Sequence, residues 1–497
     1  MIAVPAMRWS GLRRWGVVLV LAVASASACS RRPLHTHSEP TKPTKPKDVL
    51  PQRPSIYLAT NRNVDLLFLV DDSSSMTKSQ DNLLRNFPVL MKALEDLPGG
   101  LPNVHIAVVS SDMGAGDGTI SSCDASGGKN GIFQANPRGT CAATNLARGA
   151  RFISNVAGVA NYSGTLEDVF TCIAALGQSG CGFENQFAAI TRALGIDGRA
   201  APAENAGFLR PDALLAIVMI TNEDDCSAAP GVPFYDTSSN INIASQLGPP
   251  DNFRCNEFGH ICDGDRPDRE APNNSRDDRV SYESCMSDEM GGFLVSVGDT
   301  AQRIKSLKGD DGQIMLAAIT GPRTPYVVRW TEPRTNDTSC GAASCVWPEI
   351  AHSCVAADGS FGDPAVRISE LVGHFGDNGK LVPICDADFA PALGNIGSNI
   401  AKYVNAPCIT GRIAKRPGTT SEDCTVVDAD TATTVASCAD TGGAGECWHL
   451  VAGGNMCTGV SIVVQADPAT GGDPPGNLTV RCSMCVPGMP DPEVGCP

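Results

Sequence analysis

The sequence predicts an α/β protein with a doubly wound, mostly parallel sheet, disulfide-rich insertions and a small cysteine-rich β module at the C-terminus. From residue 64 to about residue 405, apolar segments of strand length alternate with amphipathic helical segments, which is typical of a parallel sheet covered on both faces. The first strand, residues 64–70, is almost wholly apolar, as expected for a strand buried on both faces. After Cys408 the cysteines accompany only short β-like runs, so a separate cross-linked region is expected there.

Five segments have the composition of buried strands and six have the periodicity of amphipathic helices. The strands are predicted at residues 64–70, 104–110, 213–221, 313–319 and 380–385, and the helices at 76–97, 165–176, 184–197, 288–308, 364–375 and 388–404. The predicted α/β domain covers residues 61–407, with insertions near 113–164 and 226–283 that are rich in Gly, Pro, Asn and Asp. The C-terminal module covers residues 408–497, with short strands predicted at 461–465 and 478–482.

The N-terminus has the pattern of an export signal. Three arginines precede an apolar run at residues 17–23, which is too short to span a bilayer. Small residues directly before Cys29 resemble the lipobox of bacterial lipoproteins. This resemblance implies a signal peptide at residues 1–28, lipidation at Cys29 and, from Ser30, sorting to the outer membrane; the alternative is an ordinary cleavage site with an accidental cysteine.

Residues 29–60 are rich in Pro and Lys and are predicted to be a semi-extended tether. The chain has a formal charge of −16, and loss of the three signal-peptide arginines makes it −19. An acidic chain is a poor ligand for phosphate backbones, so no nucleic-acid partner is expected. A cationic partner or a bound metal fits this charge better.

The cysteine count predicts disulfides. Of 21 cysteines, one is Cys29, twelve lie between Cys123 and Cys385, and eight lie between Cys408 and Cys496. Even numbers in both regions of an exported chain favour internal pairing within each region. Sequence does not fix the connectivity; the local candidates are Cys123 with Cys141, Cys172 with Cys181, and Cys255 with Cys262.

The first predicted strand ends in a cluster of oxygen donors with the pattern DxSxS, formed by Asp71, Ser73 and Ser75. Ligands of open α/β sheets bind beyond the carboxyl ends of the strands, and carboxylate and hydroxyl oxygens suit Mg²⁺ or Ca²⁺. The alternative is a helix N-cap, in which these side chains accept hydrogen bonds from free amides.

With its preceding apolar strand and the following Met76, this motif resembles the metal-ion-dependent adhesion site (MIDAS) of von Willebrand factor type A (VWA) domains. The resemblance implies a Rossmann-like VWA fold over roughly residues 62–405. It also implies that Ser73 and Ser75 bind Mg²⁺ or Ca²⁺, with Mn²⁺ as a further option, while Asp71 acts through hydrogen bonds or water. A carboxylate of a protein partner would fill the open coordination position.

Two further loops depart from the family pattern. Glu184 lies where the family has a threonine, so it is either an additional ligand or an acid favoured by the helix dipole; Ser179 is a neutral substitute. After the strand at 213–221, Asn222 replaces an aspartate, and Glu223, Asp224 and Asp225 follow. Asn222 and Asp224 are the predicted metal ligands from this loop.

No motif indicates catalysis: GxSxG, HExxH and a phosphate-binding glycine loop are all lacking in the sequence. We therefore expect a binding protein and not an enzyme. Three hypotheses are open. The first is an envelope-anchored VWA lipoprotein of Gram-negative type that binds an unidentified protein partner or mediates adhesion through the metal. The second is a structural envelope lipoprotein with a degenerate or purely stabilising metal site, and the third is a metal-assisted hydrolase.

Overall fold

The computed structural model describes residues 55–496 except for 98–99, 117–119, 121, 125, 139–140, 142, 157, 212, 239–241, 310, 333–345, 405–408, 410, 429–430, 453–459 and 466–476. All of them belong to one compact unit, residues 53–497. The predicted signal peptide, Cys29 and residues 29–54 of the predicted tether lie outside the described residues. Within the described part, no helix has the length and apolar character that crossing a membrane requires.

Twenty strands and eight α-helices are described. The strands are β1 (Ser55–Asn61), β2 (Asn63–Val70), β3 (Asn103–Ser110), β4 (Ile153–Val156), β5 (Val159–Ala160), β6 (Leu214–Ile220), β7 (His260–Cys262), β8 (Arg279–Tyr282), β9 (Cys285–Ser287), β10 (Ile314–Thr320), β11 (Tyr326–Thr331), β12 (Trp347–Ile350), β13 (Cys354–Val355), β14 (Phe361–Gly362), β15 (Gly379–Pro383), β16 (Cys424–Asp428), β17 (Thr434–Ser437), β18 (Cys447–Ala452), β19 (Val460–Gln465) and β20 (Asn477–Ser483). The helices are α1 (Thr77–Glu95), α2 (Leu166–Ala174), α3 (Gln186–Ala193), α4 (Asn252–Gly259), α5 (Val297–Lys305), α6 (Val366–Gly373), α7 (Ala390–Val404) and α8 (Cys438–Thr441).

The central sheet has seven strands in the order β15-β10-β6-β2-β3-β4-β5. The first five run parallel, and β4 and β5 continue the sheet antiparallel. Every residue of β2, β6 and β10 is buried, because helices cover both faces. The predicted mixed α/β fold with a mostly parallel central sheet is confirmed.

Alternation along β2 divides the core into two layers. Val64, Leu66 and Phe68 pack with α1, α2 and α7 on one face, whereas Leu67 and Leu69 pack with α3, α5 and α6 on the other. Successive side chains of a strand point to opposite faces, so a continuous apolar run fills both layers. This packing fixes β2 in the middle of the sheet and places the residues after Val70 at its carboxyl edge.

One predicted helix is shorter than expected. The segment predicted at 288–308 is helical only from Val297 to Lys305. Glu289 instead accepts hydrogen bonds from the N–H groups of Val297 and Gly298, at 2.9 and 3.2 Å, and Gly292 has φ +70°. A positive φ at Gly292 is incompatible with a regular helix, so the residues before Val297 form a loop. From this loop Glu289 accepts hydrogen bonds from the free N–H groups at the start of the helix.

The C-terminal module contains a strand from the start of the described chain. Its six-stranded sheet has the order β1-β20-β16-β17-β18-β19, and β1 pairs antiparallel with β20 from Ser55↔Ser483 to Asn61↔Asn477. The predicted tether at residues 29–60 is therefore wrong over residues 55–60. Residues 55–61 include the β-branched and aromatic residues that favour a strand, but they form one only because they pair with β20, which is distant in sequence.

Eight disulfides are described, and disulfide formation is confirmed, although the three predicted local pairs are wrong. Cys123 does not pair with Cys141, Cys172 does not pair with Cys181, and Cys255 does not pair with Cys262, because the insertions fold against more distant segments. Five bonds lie in the α/β region and three in the C-terminal module: Cys123–Cys181, Cys141–Cys172, Cys226–Cys255, Cys262–Cys285, Cys354–Cys385, Cys424–Cys482, Cys438–Cys447 and Cys485–Cys496.

Candidate functional site

The candidate site lies where the neighbouring parallel strands β2 and β6 end. Asp71 follows β2 directly, and its N–H donates to the carbonyl of Ile220, the last residue of β6, at 3.0 Å. Thr221 and Asn222 then continue from β6. Since parallel strands end at the same edge of a sheet, the DxSxS loop and the Thr221-Asn222 loop are brought side by side.

Asp71 is fully buried and orients both loops. Its Oδ1 accepts from the N–H of Ser73 at 2.8 Å, and its Oδ2 accepts from Thr221 Oγ1 at 2.8 Å. Burial raises the pKa of Asp71 to about 6, and these hydrogen bonds oppose that rise. The N-cap of α1 is Met76, which makes no side-chain capping bond, so the simple N-cap alternative for this motif does not match the structure.

Three neutral oxygen donors meet in front of Asp71. Ser73 Oγ lies 3.2 Å from Ser75 Oγ, and Ser75 Oγ lies 3.0 Å from Asn222 Oδ1. Adjacent ligands of an octahedral Mg²⁺ lie about 3 Å apart, since each is about 2.1 Å from the ion. These separations fit neighbouring ligand positions around a small divalent cation.

Glu184 is also brought to this edge of the sheet. It is 2% exposed, and its Oε1 has no hydrogen-bond partner in the described part of the molecule. Burial, followed by repulsion from Glu223 and Asp71, raises the pKa of Glu184 well above its ordinary value. A buried oxygen without a donor is costly, so the carboxylate fits a cation better than the alternative role in the helix dipole.

The helix-dipole alternative for Glu184 has a second difficulty. Helix α3 begins at Gln186 with Asn185 as its N-cap, so Glu184 precedes the first turn. Two amides of that turn have other acceptors: Phe187 N–H donates to Asp225 Oδ1 and Ala188 N–H to Ser227 Oγ, both at 2.9 Å.

A disulfide and a close backbone contact hold the loop that precedes Glu184. Cys181 is bonded to Cys123, and Gly180 N–H donates to the carbonyl of Asp72 at 2.8 Å. A Cβ at position 180 would lie 2.4 Å from Asp72 Oδ1, so glycine is required for this approach. Ser179, the neutral substitute, is exposed and does not line the groove described below.

The prediction for Asp224 is corrected by the structure. Its Oδ2 lies 2.9 Å from His260 Nε2 and accepts from the N–H of Arg367 at 2.8 Å, and its Oδ1 accepts from the N–H of Ile368 at 3.0 Å. Although burial acts to raise the pKa of Asp224, these bonds lower it below its ordinary value. Both oxygens are thus directed at the N-terminus of α6 and not at Ser73 and Ser75.

Asp225 likewise has a structural role. It accepts from Ser227 Oγ at 2.6 Å and forms a buried ion pair with Arg367 at 3.2 Å.

Sequence reasoning missed two acids of the site. Glu223 shares a hydrogen bond with Glu184 and accepts from Asn252 Nδ2 at 2.5 Å. Asp363 lies between β14 and α6, donates its N–H to the carbonyl of Asn222 at 2.7 Å, and pairs with His352 Nδ1 at 2.5 Å. Proximity to Asn222 in sequence was a signal for Glu223, whereas nothing local to Asp363 indicates that it approaches β6.

A groove of about 610 Å³ opens above these groups. Its floor includes Ser73, Ser75, Glu184, Glu223 and Asp363, and its walls come from the insertions and from β12. In the described segments, no three His, Cys, Asp or Glu side chains form a metal-binding group by themselves. A cation here would depend on hydroxyl and amide oxygens together with Glu184.

No family model matches the chain, and no curated protein is significantly similar to it in sequence. Among solved structures, it is similar to the pilus adhesin SpaC from Lactobacillus rhamnosus GG, with 11% identity and a TM-score of 0.29. It is also similar to the human COPII-coat protein Sec24c, with 10% identity and a TM-score of 0.27. These matches cover 87% and 88% of this chain but only 41% and 43% of the other chains, so the chain spans less than half the length of either.

Proposed function

We propose that this chain is an envelope-anchored VWA protein that binds a protein partner through a divalent cation at the carboxyl edge of its central sheet. The proposed cation is Mg²⁺ or Ca²⁺, with Mn²⁺ as a further option. Five parallel strands with helices on both faces support a Rossmann-like VWA fold. The DxSxS motif follows β2, which pairs with β3 and β6 in the interior of that sheet.

The observation that carries the proposal is the chain of contacts from Ser73 Oγ to Ser75 Oγ to Asn222 Oδ1, at 3.2 and 3.0 Å. These three oxygens come from two separate loops, and Asp71 holds both loops in register. Glu184 adds a carboxylate oxygen without a partner. Hydroxyl, amide and carboxylate oxygens are the donors that Mg²⁺ and Ca²⁺ prefer.

Each residue then has a distinct role. Ser73, Ser75 and Asn222 would hold the cation directly, Glu184 would neutralise part of its charge, and Asp71 would orient the hydroxyls from behind. The bound cation supplies an electrophilic position that a group of the partner can occupy. Binding, and not turnover, is the proposed activity.

Calorimetric titration tests the metal site. The full chain carrying Cys29→Ser, produced in oxidised form, is titrated with Mg²⁺, Ca²⁺ and Mn²⁺. We expect binding that is lost in Ser73→Ala/Ser75→Ala and kept in Ser74→Ala, a control in which an exposed serine of the same loop is changed. Absence of binding in the parent chain, or equal binding in the double variant, contradicts the proposal.

A structural role for the metal is the second candidate. Glu184 favours it, because a carboxylate ligand occupies a position and reduces the charge that would attract a partner. In that case metal raises the thermal stability but no partner binds in a metal-dependent way. Hydrolytic turnover that requires the metal would instead support the third hypothesis, an enzyme.

Anchoring at Cys29 is a separate part of the proposal. Export followed by lipidation would attach the chain to the cell envelope, with the outer membrane as the proposed location. Metabolic labelling with a fatty acid and membrane fractionation test this: the parent chain should carry label and sediment with membranes. A Cys29→Ser chain that remained labelled and membrane-bound would contradict it.

A further inference from the structure

The acidic side chains at the floor of the groove have no basic partner among the described residues. Glu184 and Glu223, which line the groove, and the fully buried Asp71 form no ion pair with any Lys or Arg of the described residues, although twelve other carboxylates do. Because Glu184 and Glu223 share a hydrogen bond, one of the two carboxyl groups holds the shared proton and the pair carries one negative charge. Without a bound cation the floor is therefore negative and repels a carboxylate.

An unpartnered buried atom indicates that the floor lacks a positive group. Glu184 lines the groove, is 2% exposed, and leaves its Oε1 without a donor among the described residues. A carboxylate oxygen in such a position gains a charge-assisted hydrogen bond when an N–H donor arrives. Glu223 also lines the groove; it accepts from the neutral Asn252 amide and shares a hydrogen bond with Glu184, and neither contact supplies a positive charge.

The walls suit the apolar stem of a long side chain. Phe253, Trp347 and Ile350 line the groove and belong to apolar parts of α4 and β12. Trp347 Nε1 is a further buried donor without a partner in the described part of the chain, so a carbonyl group of a bound peptide has a place to accept. Lys and Arg place methylene stems on apolar surface while their charged ends reach an acidic group.

We infer that the groove recognises a Lys or Arg side chain of a basic peptide segment in the partner, and not a partner carboxylate. The inference rests on the proposed function, since it takes this groove as the binding site and names the chemistry of the partner. The cationic end pairs with Glu184 and Glu223, and the stem packs beside Trp347 and Ile350. Guanidinium is favoured over ammonium because its planar fork can donate to oxygens of both carboxyl groups at once.

Three blocked pentapeptides test the inference. Their sequences are Gly-Leu-Xaa-Leu-Gly, where Xaa is arginine, its neutral isostere citrulline, or glutamate. Binding to the oxidised full chain carrying Cys29→Ser is measured by calorimetry at physiological ionic strength, in Mg²⁺ and again with a chelator. We expect the arginine peptide to bind about tenfold or more tightly than the citrulline peptide, and the glutamate peptide not to bind.

A matched pair of variants separates the groove from the overall acidity of the protein. Glu184→Gln/Glu223→Gln should weaken the arginine peptide about tenfold or more. Asp81→Asn/Glu95→Gln removes the same charge from exposed positions of α1 and should leave its affinity unchanged. Because the citrulline comparison uses the unaltered groove, it decides the inference even if the Gln variant fails to fold.

The outcomes also distinguish this inference from the proposed metal function. Glutamate-peptide binding that requires Mg²⁺ would support the metal function and overturn the basic-partner inference. Arginine-peptide binding that survives chelation, in a chain that gives no heat on metal titration, would support the inference and contradict the metal site. Equal arginine and citrulline binding, or equal loss in both variant pairs, overturns the inference.

Discussion

Asp224 Oδ2 lies 2.9 Å from His260 Nε2, and both side chains are almost completely buried. His260 Nδ1 in turn lies 2.8 Å from Tyr326 Oη. The two bonds join the loop after β6 to β7 in the second insertion and to β11. An acid that immediately follows the candidate site in sequence thus serves to attach the insertion to the sheet.

Replacing Asp224 with Asn should destabilise the fold without changing metal affinity. The variant loses charge-assisted bonds from His260 and from two amides at the start of α6, at a cost of about 2–3 kcal/mol in the free energy of unfolding. Denaturant unfolding and metal titration measure the two effects, with Asp386→Asn as an exposed control. Loss of metal binding with unchanged stability would restore Asp224 as a ligand.

Replacing Asp71 with Ala should abolish stabilisation by metal. A ligand that binds only the folded state adds about 2.7 kcal/mol at one hundred times its dissociation constant. The variant loses the acceptor of Ser73 N–H and Thr221 Oγ1, so Ser73 and Thr221 are no longer held in register. Thermal unfolding with and without Mg²⁺ checks this; a metal-induced shift equal to that of Ser74→Ala would be evidence against the site.

Acid should destabilise the protein through His105. Burial, with a contribution from the Arg210 charge, lowers the pKa of His105 from 6.5 to about 4. Between these values the unfolded chain binds a proton that the folded chain does not, so stability falls as pH drops from about 6.5 to 4. The limiting loss from this group is about 3 kcal/mol.

The neighbouring Asp65 has the opposite effect on stability. Burial raises the pKa of Asp65 to about 6 despite its ion pair with Arg210, so its contribution favours the folded state below pH 3.8 and is lost as pH rises to about 6. The contribution of Asp65 is present in both the parent and His105→Gln, so comparing the two proteins isolates the contribution of His105. The unfolding free energy of the variant minus that of the parent should increase as pH falls from 7 to 4. A difference that does not change with pH would contradict the lowered pKa of His105.

Loss of the Cys123–Cys181 disulfide should weaken both stability and the site. The bond closes a segment of 58 residues, and opening it should cost about 2–4 kcal/mol. Cys181 also holds the loop that carries Glu184, so metal affinity should fall in Cys123→Ser/Cys181→Ser. The matched variant Cys438→Ser/Cys447→Ser opens a bond in the C-terminal module and should leave metal affinity unchanged, which calorimetry checks.

Removal of β1 should expose one side of β20. Strand β20 lies between β1 and β16, and the N–H groups of an inner antiparallel strand point alternately to its two neighbours. Hydrogen exchange in a chain beginning at Arg62 should therefore speed up at alternate residues of β20, compared with a chain beginning at Arg53. Unchanged exchange in β20 would show that β1 does not protect it.

The sequence alone determined the five parallel strands of the central sheet and the position of its first motif, whereas β4 and β5 lie in the segment predicted as an insertion at 113–164. The strand predicted at 64–70 corresponds to β2, and the helix predicted at 388–404 corresponds to α7. These elements follow from hydrophobic periodicity, which is a local property of a few turns or pleats. Asp71, Ser73 and Ser75 were found for the same reason, because an apolar strand ends directly before them.

Only the tertiary structure decided which distant groups meet. It paired Cys123 with Cys181 and not with Cys141, joined β1 to β20, and directed Asp224 to His260 while bringing Glu223 to Glu184. The sequence does not show which of the three consecutive acids, Glu223 to Asp225, lies at the site. In the structure Asp224 bonds to His260 and to amides of α6, and Asp225 bonds to α3 and to Arg367. These contacts depend on which residues, distant in sequence, the packed helices and sheet bring within hydrogen-bond distance. Local sequence patterns do not specify those distances.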